Sequence, residues 1–129
     1  MPDKNSIITI LSEYFRILHE GDASAAQRLF HPQCTLFCPT DAETQSIPLN
    51  NYLDVLRTRR SPKANGEPLY GKILTIDQSG PATALAKVYS AVQPKYYVDY
   101  LTLVADPSGW HIVSKVYREL PGSVAAVES

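Results

Sequence analysis

The amino-acid sequence predicts an α+β fold in which three N-terminal helices pack on a curved, mainly antiparallel sheet. Apolar residues repeat at helical spacing through the first half of the chain. Four β-rich runs, separated by short turn signals, occupy most of the second half. Strands joined by such short connections run antiparallel, and helices followed by such a meander are typical of an α+β domain with the helices on one sheet face.

The first two predicted helices are joined by a tight turn. An amphipathic helix is predicted over residues 6–20, Gly21 is a natural C-terminal stop, and Asp22 can cap a second helix over residues 23–30. The apolar face of the first helix carries Ile7, Leu11, Tyr14 and Leu18.

The middle of the chain is predicted to hold a short strand and a third helix. CTLFCP, residues 34–39, has strand composition, and the polar stretch at 40–48 is predicted to be a loop. Pro48 is predicted to start a helix that ends near residue 59. The apolar face of this helix carries Leu49, Tyr52, Leu53 and Leu56.

The four β-rich runs span residues 69–80, 81–92, 95–106 and 108–120, and the tail at 121–129 is predicted to pack weakly. A sheet covered by helices on its concave side leaves a cone-shaped interior in which a ligand can bind. The uncovered sheet face carries apolar residues and predicts a homodimer.

Composition limits the classes of function. With 129 residues, of which 44% are hydrophobic, we expect one domain over 1–129 with a core at about 6–120. Twelve basic and thirteen acidic residues give a net charge of -1, which argues against nucleic acid as a partner. The sequence shows no secretory pattern and no long apolar run, so we expect a soluble, cytoplasmic protein without a membrane partner.

The two cysteines, Cys34 and Cys38, are predicted to be free thiols. They lie four residues apart in a predicted strand, a separation of about 13 Å that exceeds disulfide reach. The histidines are scattered, and motifs for phosphate, zinc or a nucleophilic serine are not found, so we expect no metal and no cofactor.

Asp99 is the strongest candidate for a functional residue because it interrupts the strand YYVDYLTLV, where carboxylates are depleted. Strand alternation places Asp99 on the same face as Tyr97, Leu101 and Leu103, which predicts burial. A buried carboxylic acid is suited to proton transfer near neutral pH because burial disfavours its charged form.

The partners of Asp99 depend on the DPSG turn. A three-residue loop with Gly109 in a bulge sets Asp99 opposite Tyr117 and brings Lys115 onto the same face, whereas a two-residue loop sets Asp99 opposite Val116. The turn residues favour the first arrangement. Three roles of Asp99 then remain open. It transfers a proton, it binds a ligand, or it only pairs with Lys115 or Tyr117 so that the buried carboxylate has a partner and the strand register is fixed.

Several other residues have both a structural and a functional interpretation. The hydroxyls of Tyr14 and Tyr52 can reach the interior, although a tyrosine on an apolar helix stripe is usually core. Lys87 is expected to be solvated. The basic cluster at 57–63 is expected to be a solvated helix end that complements the helix dipole, with binding of an anionic ligand group as the minor alternative.

Four segments of the chain carry a resemblance to a known family. They are EGDASAAQRLFHPQCTL, IPLNNYLDVLRTRRSPKANGEP, ILTIDQSGPATALAKV and VDYLTLVADPSGWHIVSKVYR. Together they resemble the nuclear transport factor 2-like superfamily, which includes ketosteroid isomerase, scytalone dehydratase and SnoaL-type cyclases. Within it, the chain is most similar to the SnoaL-like group described as "putative lumazine-binding". The resemblance covers about residues 6–120 and implies the cone-shaped, cystatin-like fold and a pteridine-like ligand.

These observations favour a small-molecule-binding domain whose cavity accepts an apolar, aromatic or polycyclic ligand. One alternative is a cofactor-independent isomerase, cyclase or dehydratase with Asp99 as general acid or base and Tyr14 or Tyr117 as hydrogen-bond donor. The enzymes of the superfamily use more than one acid or a His and Asp set, whereas this chain offers Asp99 alone. Another alternative is a protein-interaction module that uses the sheet face. The predicted ligand-binding residues are Tyr14, Tyr52, Tyr97, Asp99, Lys115 and Tyr117.

Overall fold

The computed structural model describes residues 4–92 and 94–121, and this part of the chain forms three helices and six strands. No helix within these ranges has the length and hydropathy needed to cross a membrane. The predicted tail lies outside the described residues beyond Pro121. The elements are α1 (Lys4–Glu20), α2 (Ala23–Leu29), β1 (Phe30–Pro39), β2 (Thr44–Pro48), α3 (Leu49–Thr58), β3 (Lys72–Ser79), β4 (Thr83–Val92), β5 (Lys95–Asp106) and β6 (Gly109–Glu119).

The strands form one sheet in the order β2-β1-β6-β5-β4-β3. Only the pairing of β1 with β6 is parallel among the described strands, and consecutive strands from β3 to β6 form the predicted antiparallel meander. The helices pack on one face of this sheet, with α1 against β3, β4 and β6 and α3 against β1 and β2. The predicted α+β fold is confirmed.

The turn between α1 and α2 forms as predicted. Gly21 adopts a φ of 68°, a conformation in which glycine is least strained, and its N–H donates to the Ile17 carbonyl at 2.8 Å. The Asp22 side chain then accepts a hydrogen bond of 3.0 Å from the Ala25 N–H, which caps α2.

The prediction of a loop at residues 40–48 is wrong over its second half, where Thr44–Pro48 forms β2 and pairs with β1. The turn that starts this hairpin is closed by Thr40, whose N–H and hydroxyl both donate to the Glu43 carbonyl. Four of the five β2 residues are exposed. An edge strand of this kind lacks the alternation of apolar and polar residues from which a strand is predicted. Pro48 is the last residue of β2 and also the N-cap of α3, so the predicted start of the third helix is confirmed.

The register of β5 and β6 is confirmed, with Asp99 opposite Tyr117. The predicted turn is wrong, because Asp106 pairs with Gly109 and leaves a two-residue loop. The extra residue lies instead within β6, where the register shifts at Val113. A bulge within a strand shifts the pairing by one residue, as a turn that is one residue longer also does. The predicted register is therefore correct although the predicted turn is not.

Both cysteines are free and lie on β1. Cys34 is buried in the core and Cys38 is half-buried. Burial raises the pKa of the Cys34 thiol to about 11. Cys34 is therefore protonated and unreactive at neutral pH.

Candidate functional site

A cavity of about 120 Å³ lies between the helices and the concave face of the sheet. Its wall is built by single residues of α1 and β2, by one face of α3, and by the ends of β4, β5 and β6. Asp99 and Lys115 form the closed inner end, where they are 0% and 5% exposed. Val55, which is 44% exposed, and Arg59, which is half-buried, lie at the mouth.

Asp99 is held by a hydrogen bond across the core. The Tyr14 hydroxyl donates to Oδ2 of Asp99 at 2.7 Å, and both side chains are fully buried. Burial and then the adjacent Asp99 charge raise the pKa of Tyr14 well above its usual value, so Tyr14 remains a donor. Oδ1 of Asp99 is also buried but has no hydrogen-bond partner among the described residues. An unpartnered buried carboxylate oxygen is costly and calls for a functional explanation.

Lys115 is a buried cation inside a cage of aromatic rings. Its Nζ donates to the Tyr52 hydroxyl at 3.3 Å and lies 4.9 to 5.2 Å from the ring centroids of Tyr52, Tyr117 and Tyr14. Burial alone lowers the pKa of Lys115, but the Tyr52 hydroxyl and the Asp99 carboxylate outweigh it and raise the pKa overall. Lys115 is therefore an ammonium at neutral pH, stabilised by cation–π contacts.

Tyr97 and Tyr117 form the sheet side of the cavity near its mouth. Their rings meet edge to face with centroids 5.8 Å apart, and both residues are half-buried. Burial raises the pKa of both hydroxyls, so each is a neutral donor or acceptor at physiological pH.

Arg59 contributes a second positive charge to the cavity wall. Its Nε is buried and has no hydrogen-bond partner among the described residues. The prediction of a solvated basic helix end does not describe this residue, although it holds for Arg57, which is exposed and pairs with Asp54 at 2.9 Å.

The structure brings five of the six predicted ligand-binding residues to the cavity wall. Tyr14 is the exception, because it lies behind the wall, where its hydroxyl contacts Asp99 and its ring contacts the Lys115 ammonium. Sequence reasoning gave Arg59 a ligand-binding role only as the minor alternative for its basic cluster, and it missed Ile47 because β2 was predicted to be a loop. Ser90 also lines the cavity. It lies on the face of β4 that carries small residues, and this run of small residues was the sequence feature that indicated unfilled space. The five residues on the wall are Tyr52, Tyr97, Asp99, Lys115 and Tyr117.

The cavity carries a dipolar inner end rather than a ligand set for a metal. Among the described residues, Asp99 is the only acidic residue on the cavity wall, and each of the other polar groups there is a hydroxyl or a cation. Within residues 4–92 and 94–121, no group of three His, Cys, Asp or Glu side chains is placed to hold a metal ion. The chemistry available to these side chains is therefore proton transfer, hydrogen bonding and charge stabilisation.

Comparison with known proteins identifies the fold and the family. A structure of an NTF2-like protein of unknown function from Shewanella baltica OS155 is 23% identical, with a TM-score of 0.79 over 92% of this chain and 94% of that one. An NTF2-like protein with a cystatin-like fold from Novosphingobium aromaticivorans is 18% identical, with a TM-score of 0.63 over 98% and 87%. These likenesses establish the NTF2-like, cystatin-like fold.

One relative has a named activity. The protein called Aldolase FrzH, from a Cladobotryum species, is 24% identical over 119 residues, which are 91% of each chain. The family model described as "Putative lumazine-binding" matches residues 2–118, nearly the whole chain. This protein is therefore an NTF2-like protein that belongs to the family described as "Putative lumazine-binding".

Proposed function

We propose that the cavity binds a small carbonyl compound and that Asp99 removes a proton from the carbon next to the carbonyl group. The observation that carries this proposal is the state of Asp99, a fully buried carboxylate with one oxygen held by Tyr14 and the other without a partner among the described residues. A general base needs a free oxygen and a fixed orientation, and Asp99 has both.

Every side chain that this step requires either lines the cavity or contacts a residue that lines it. The carbon–hydrogen bond breaks, its proton passes to Oδ1 of Asp99, and its electron pair forms an enolate. The negative charge develops on the enolate oxygen, which the Lys115 ammonium stabilises. Tyr14 is a positioning residue, because its hydrogen bond orients Asp99 without contacting the ligand.

The enolate has two natural fates. Attack on a second carbonyl carbon forms a new carbon–carbon bond, and the proton on Asp99 then passes to the resulting alkoxide, which is an aldol addition. Return of the proton to a different carbon shifts a double bond. The named activity of the relative from Cladobotryum favours the first of these outcomes.

The cavity volume limits the size of the ligand. A volume of about 120 Å³ is close to the ~150 Å³ cavity that accepts a benzene ring and is below the ~300 Å³ typical of sites for drug-sized ligands. One ring or a short carbon chain fits the cavity, whereas a bicyclic or polycyclic ligand extends through the mouth. Because Asp99 is 0% exposed, a ligand that reaches Oδ1 also displaces neighbouring side chains.

Deuterium exchange tests the proton-transfer proposal without knowledge of the final product. A panel of small ketones is incubated in D₂O with the wild-type protein, Asp99→Asn, or Tyr100→Phe, and NMR follows loss of the protons next to the carbonyl. Tyr100 is 41% exposed and absent from the cavity wall, so its variant is a matched control. We expect exchange above the buffer rate for wild type and the control but not for Asp99→Asn. Equal exchange with Asp99→Asn removes Asp99 from the mechanism.

A second candidate function is binding without a reaction. The aromatic wall formed by Tyr52, Tyr97 and Tyr117 and the description of the family favour an aromatic ligand. A thermal-shift screen with single-ring aromatics and lumazine-type pteridines tests this function, since a ligand at one hundred times its Kd stabilises a protein by about 2.7 kcal/mol. A stabilising ligand whose protons do not exchange favours binding alone.

We also propose that the sheet face opposite the helices binds a second copy of this chain. Large apolar residues on this face are 38 to 41% exposed, and they continue into a wide depression of about 380 Å³. Lys87 lies half-buried over the Tyr100 ring at 5.5 Å, so contact with the ring offsets part of the cost of burying this charge. A two-fold dimer covers such a face with its own copy. The residues are Phe37, Leu85, Tyr100 and Val116.

A further inference from the structure

We infer that the ligand of this cavity is a carboxylic acid, whose carboxylate binds Arg59 at the mouth while its carbonyl group lies near Lys115 and Asp99. The inference rests on the proposed function, since it specifies the class of carbonyl compound that the cavity accepts. It assigns a binding role to a residue of the basic helix end.

Arg59 differs from its neighbours in having a side chain that is not paired within the described residues. Arg57 donates to Asp54 at 2.9 Å, and Arg60 donates to the Ala64 carbonyl at 2.9 Å. Arg59 ends α3, where the backbone becomes extended and its side chain joins the cavity wall. Its Nε is buried without a partner, so water does not satisfy this donor in the present conformation.

The wall residues that the structure describes carry one more positive charge than negative charges. Arg59 and Lys115 are positive and Asp99 is negative, which leaves a net charge of +1 when all three are ionised. Arginine is always charged in proteins, and the raised pKa of Lys115 keeps that side chain charged as well. Because partly buried charges are normally paired, a ligand with one negative charge completes the site.

The chemistry of Arg59 favours a carboxylate as the source of that charge. A guanidinium group presents its donors in a planar fork that matches the two oxygens of a carboxylate. A cavity of about 120 Å³ also leaves little room for a bulkier phosphate beside a carbon chain.

The position of Arg59 separates the carboxylate of the ligand from its carbonyl group. Arg59 lies at the mouth of the cavity, whereas Asp99 and Lys115 lie at its inner end. The ligand therefore carries its carboxylate and its carbonyl group on different carbons of a short chain. The 4-oxo acids are small molecules of this kind and serve as probes.

Two matched pairs of probes test the inference. 3-Benzoylpropanoate and 4-oxopentanoate, each with its methyl ester, are titrated by calorimetry into the wild-type protein, Arg59→Gln and Arg57→Gln. Arg57→Gln removes the same charge from the same helix end but leaves the cavity wall unchanged. Thermal unfolding of each variant verifies that it is folded.

We expect wild type and Arg57→Gln to bind each acid about ten- to a hundredfold more tightly than its ester, the range expected for a hydrogen-bonded charge. Arg59→Gln should bind acid and ester equally, and Arg59→Lys should recover part of the preference because it restores the charge without the fork. Equal binding of acid and ester by wild type, or an acid preference that survives in Arg59→Gln, overturns the inference but leaves the proposed function intact. Failure of wild type to bind any acid or ester also overturns the inference, whereas the proposed function is decided separately by the exchange experiment with ketones that lack a carboxylate.

Discussion

The Tyr14 hydroxyl donates a 2.7 Å hydrogen bond to Oδ2 of Asp99, and this contact joins α1 to the centre of β5 across 85 residues of sequence. It explains how a carboxylate is tolerated in a buried strand, because one of its oxygens has a strong donor. It does not explain the other oxygen, which has no partner among the described residues. A purely structural Asp would be expected to have both oxygens satisfied, so the half-satisfied carboxylate favours a functional role.

Replacing Tyr14 by Phe removes this hydrogen bond and leaves both Asp99 oxygens without a donor. We expect the free energy of unfolding to fall by about 1.5 to 3 kcal/mol, the usual range for a hydrogen bond to a charged group. Urea denaturation measures this loss. Ser46→Ala, which removes an exposed hydroxyl from the edge strand β2, should change stability by less than about 0.5 kcal/mol. Equal stabilities of the two variants would show that the Tyr14 contact contributes little.

Asp99 and Lys115 should be energetically coupled, because they are opposite charges buried at the same end of the cavity. Asp99→Asn and Lys115→Met should each destabilise the protein, since each leaves one buried charge without its counterpart. The double variant should be more stable than the sum of the single effects predicts, by about 1 to 3 kcal/mol. Simple additivity in a urea-denaturation cycle would contradict the coupling.

The strand register around Asp99 shows which parts of the site can be predicted from the sequence and which cannot. Alternation alone placed Asp99 on the buried face, because an apolar strand with a period of two residues leaves few other arrangements. The pairing with Tyr117 was also predicted, but the bulge at Val113 was not, because nothing in the sequence at that position differs from regular strand. A one-residue offset can arise in a turn or within a strand, and only the backbone distinguishes the two.

The unpredicted parts of the site come from residues whose role depends on tertiary packing. Ile47 is the one half-buried residue of an otherwise exposed edge strand, so its segment lacked a strand pattern. Arg59 lies in a run of basic residues at a helix end. A shift of one or two positions along such a run decides whether a side chain faces water, as Arg57 does, or the cavity, as Arg59 does. The buried acid and lysine were visible because they break an apolar pattern, whereas Arg59 was hidden among similar neighbours.

Lys115 should not form a covalent adduct with a ketone. Amine catalysis requires a neutral lysine, but the contacts of Lys115 raise its pKa and keep it protonated. Incubation with a ketone from the exchange panel and sodium borohydride, followed by mass spectrometry, should therefore leave the peptide that contains Lys115 unmodified. A reduced adduct on Lys115 would replace the proposed base mechanism with one that uses an imine.

A charge on the uncovered sheet face should prevent self-association. Val116 is 41% exposed and lies on this face, so Val116→Glu places a carboxylate in the proposed dimer contact without entering the cavity. We expect wild type to sediment as a dimer and Val116→Glu as a folded monomer. Asp54→Asn, an exposed change on α3, should remain dimeric. A monomeric wild type at micromolar concentration would contradict the dimer and favour a different partner for this face.

Alkaline pH should destabilise the fold, and Cys34 sets where the effect begins. Burial raises the pKa of Cys34 from 9.0 to about 11, so between these values the native state keeps a proton that the unfolded state has released. The native state then binds more protons, and the free energy of unfolding falls as pH rises through this window, by about 1 to 3 kcal/mol. The raised pKa values of Tyr14 and Lys115 extend the loss to higher pH.

Urea denaturation at intervals from pH 8 to pH 10.5 measures this alkaline loss. Cys34→Ala removes the thiol, so its stability should decline less steeply over the same range, whatever the change in its stability at pH 8. Cys38→Ala is the matched control on the same strand. Cys38 is only half-buried, so the burial that raises its pKa is less complete than the burial of Cys34. A stability that is constant between pH 8 and pH 10.5, or a decline that is as steep in Cys34→Ala as in wild type, would show that Cys34 ionises without cost to the fold.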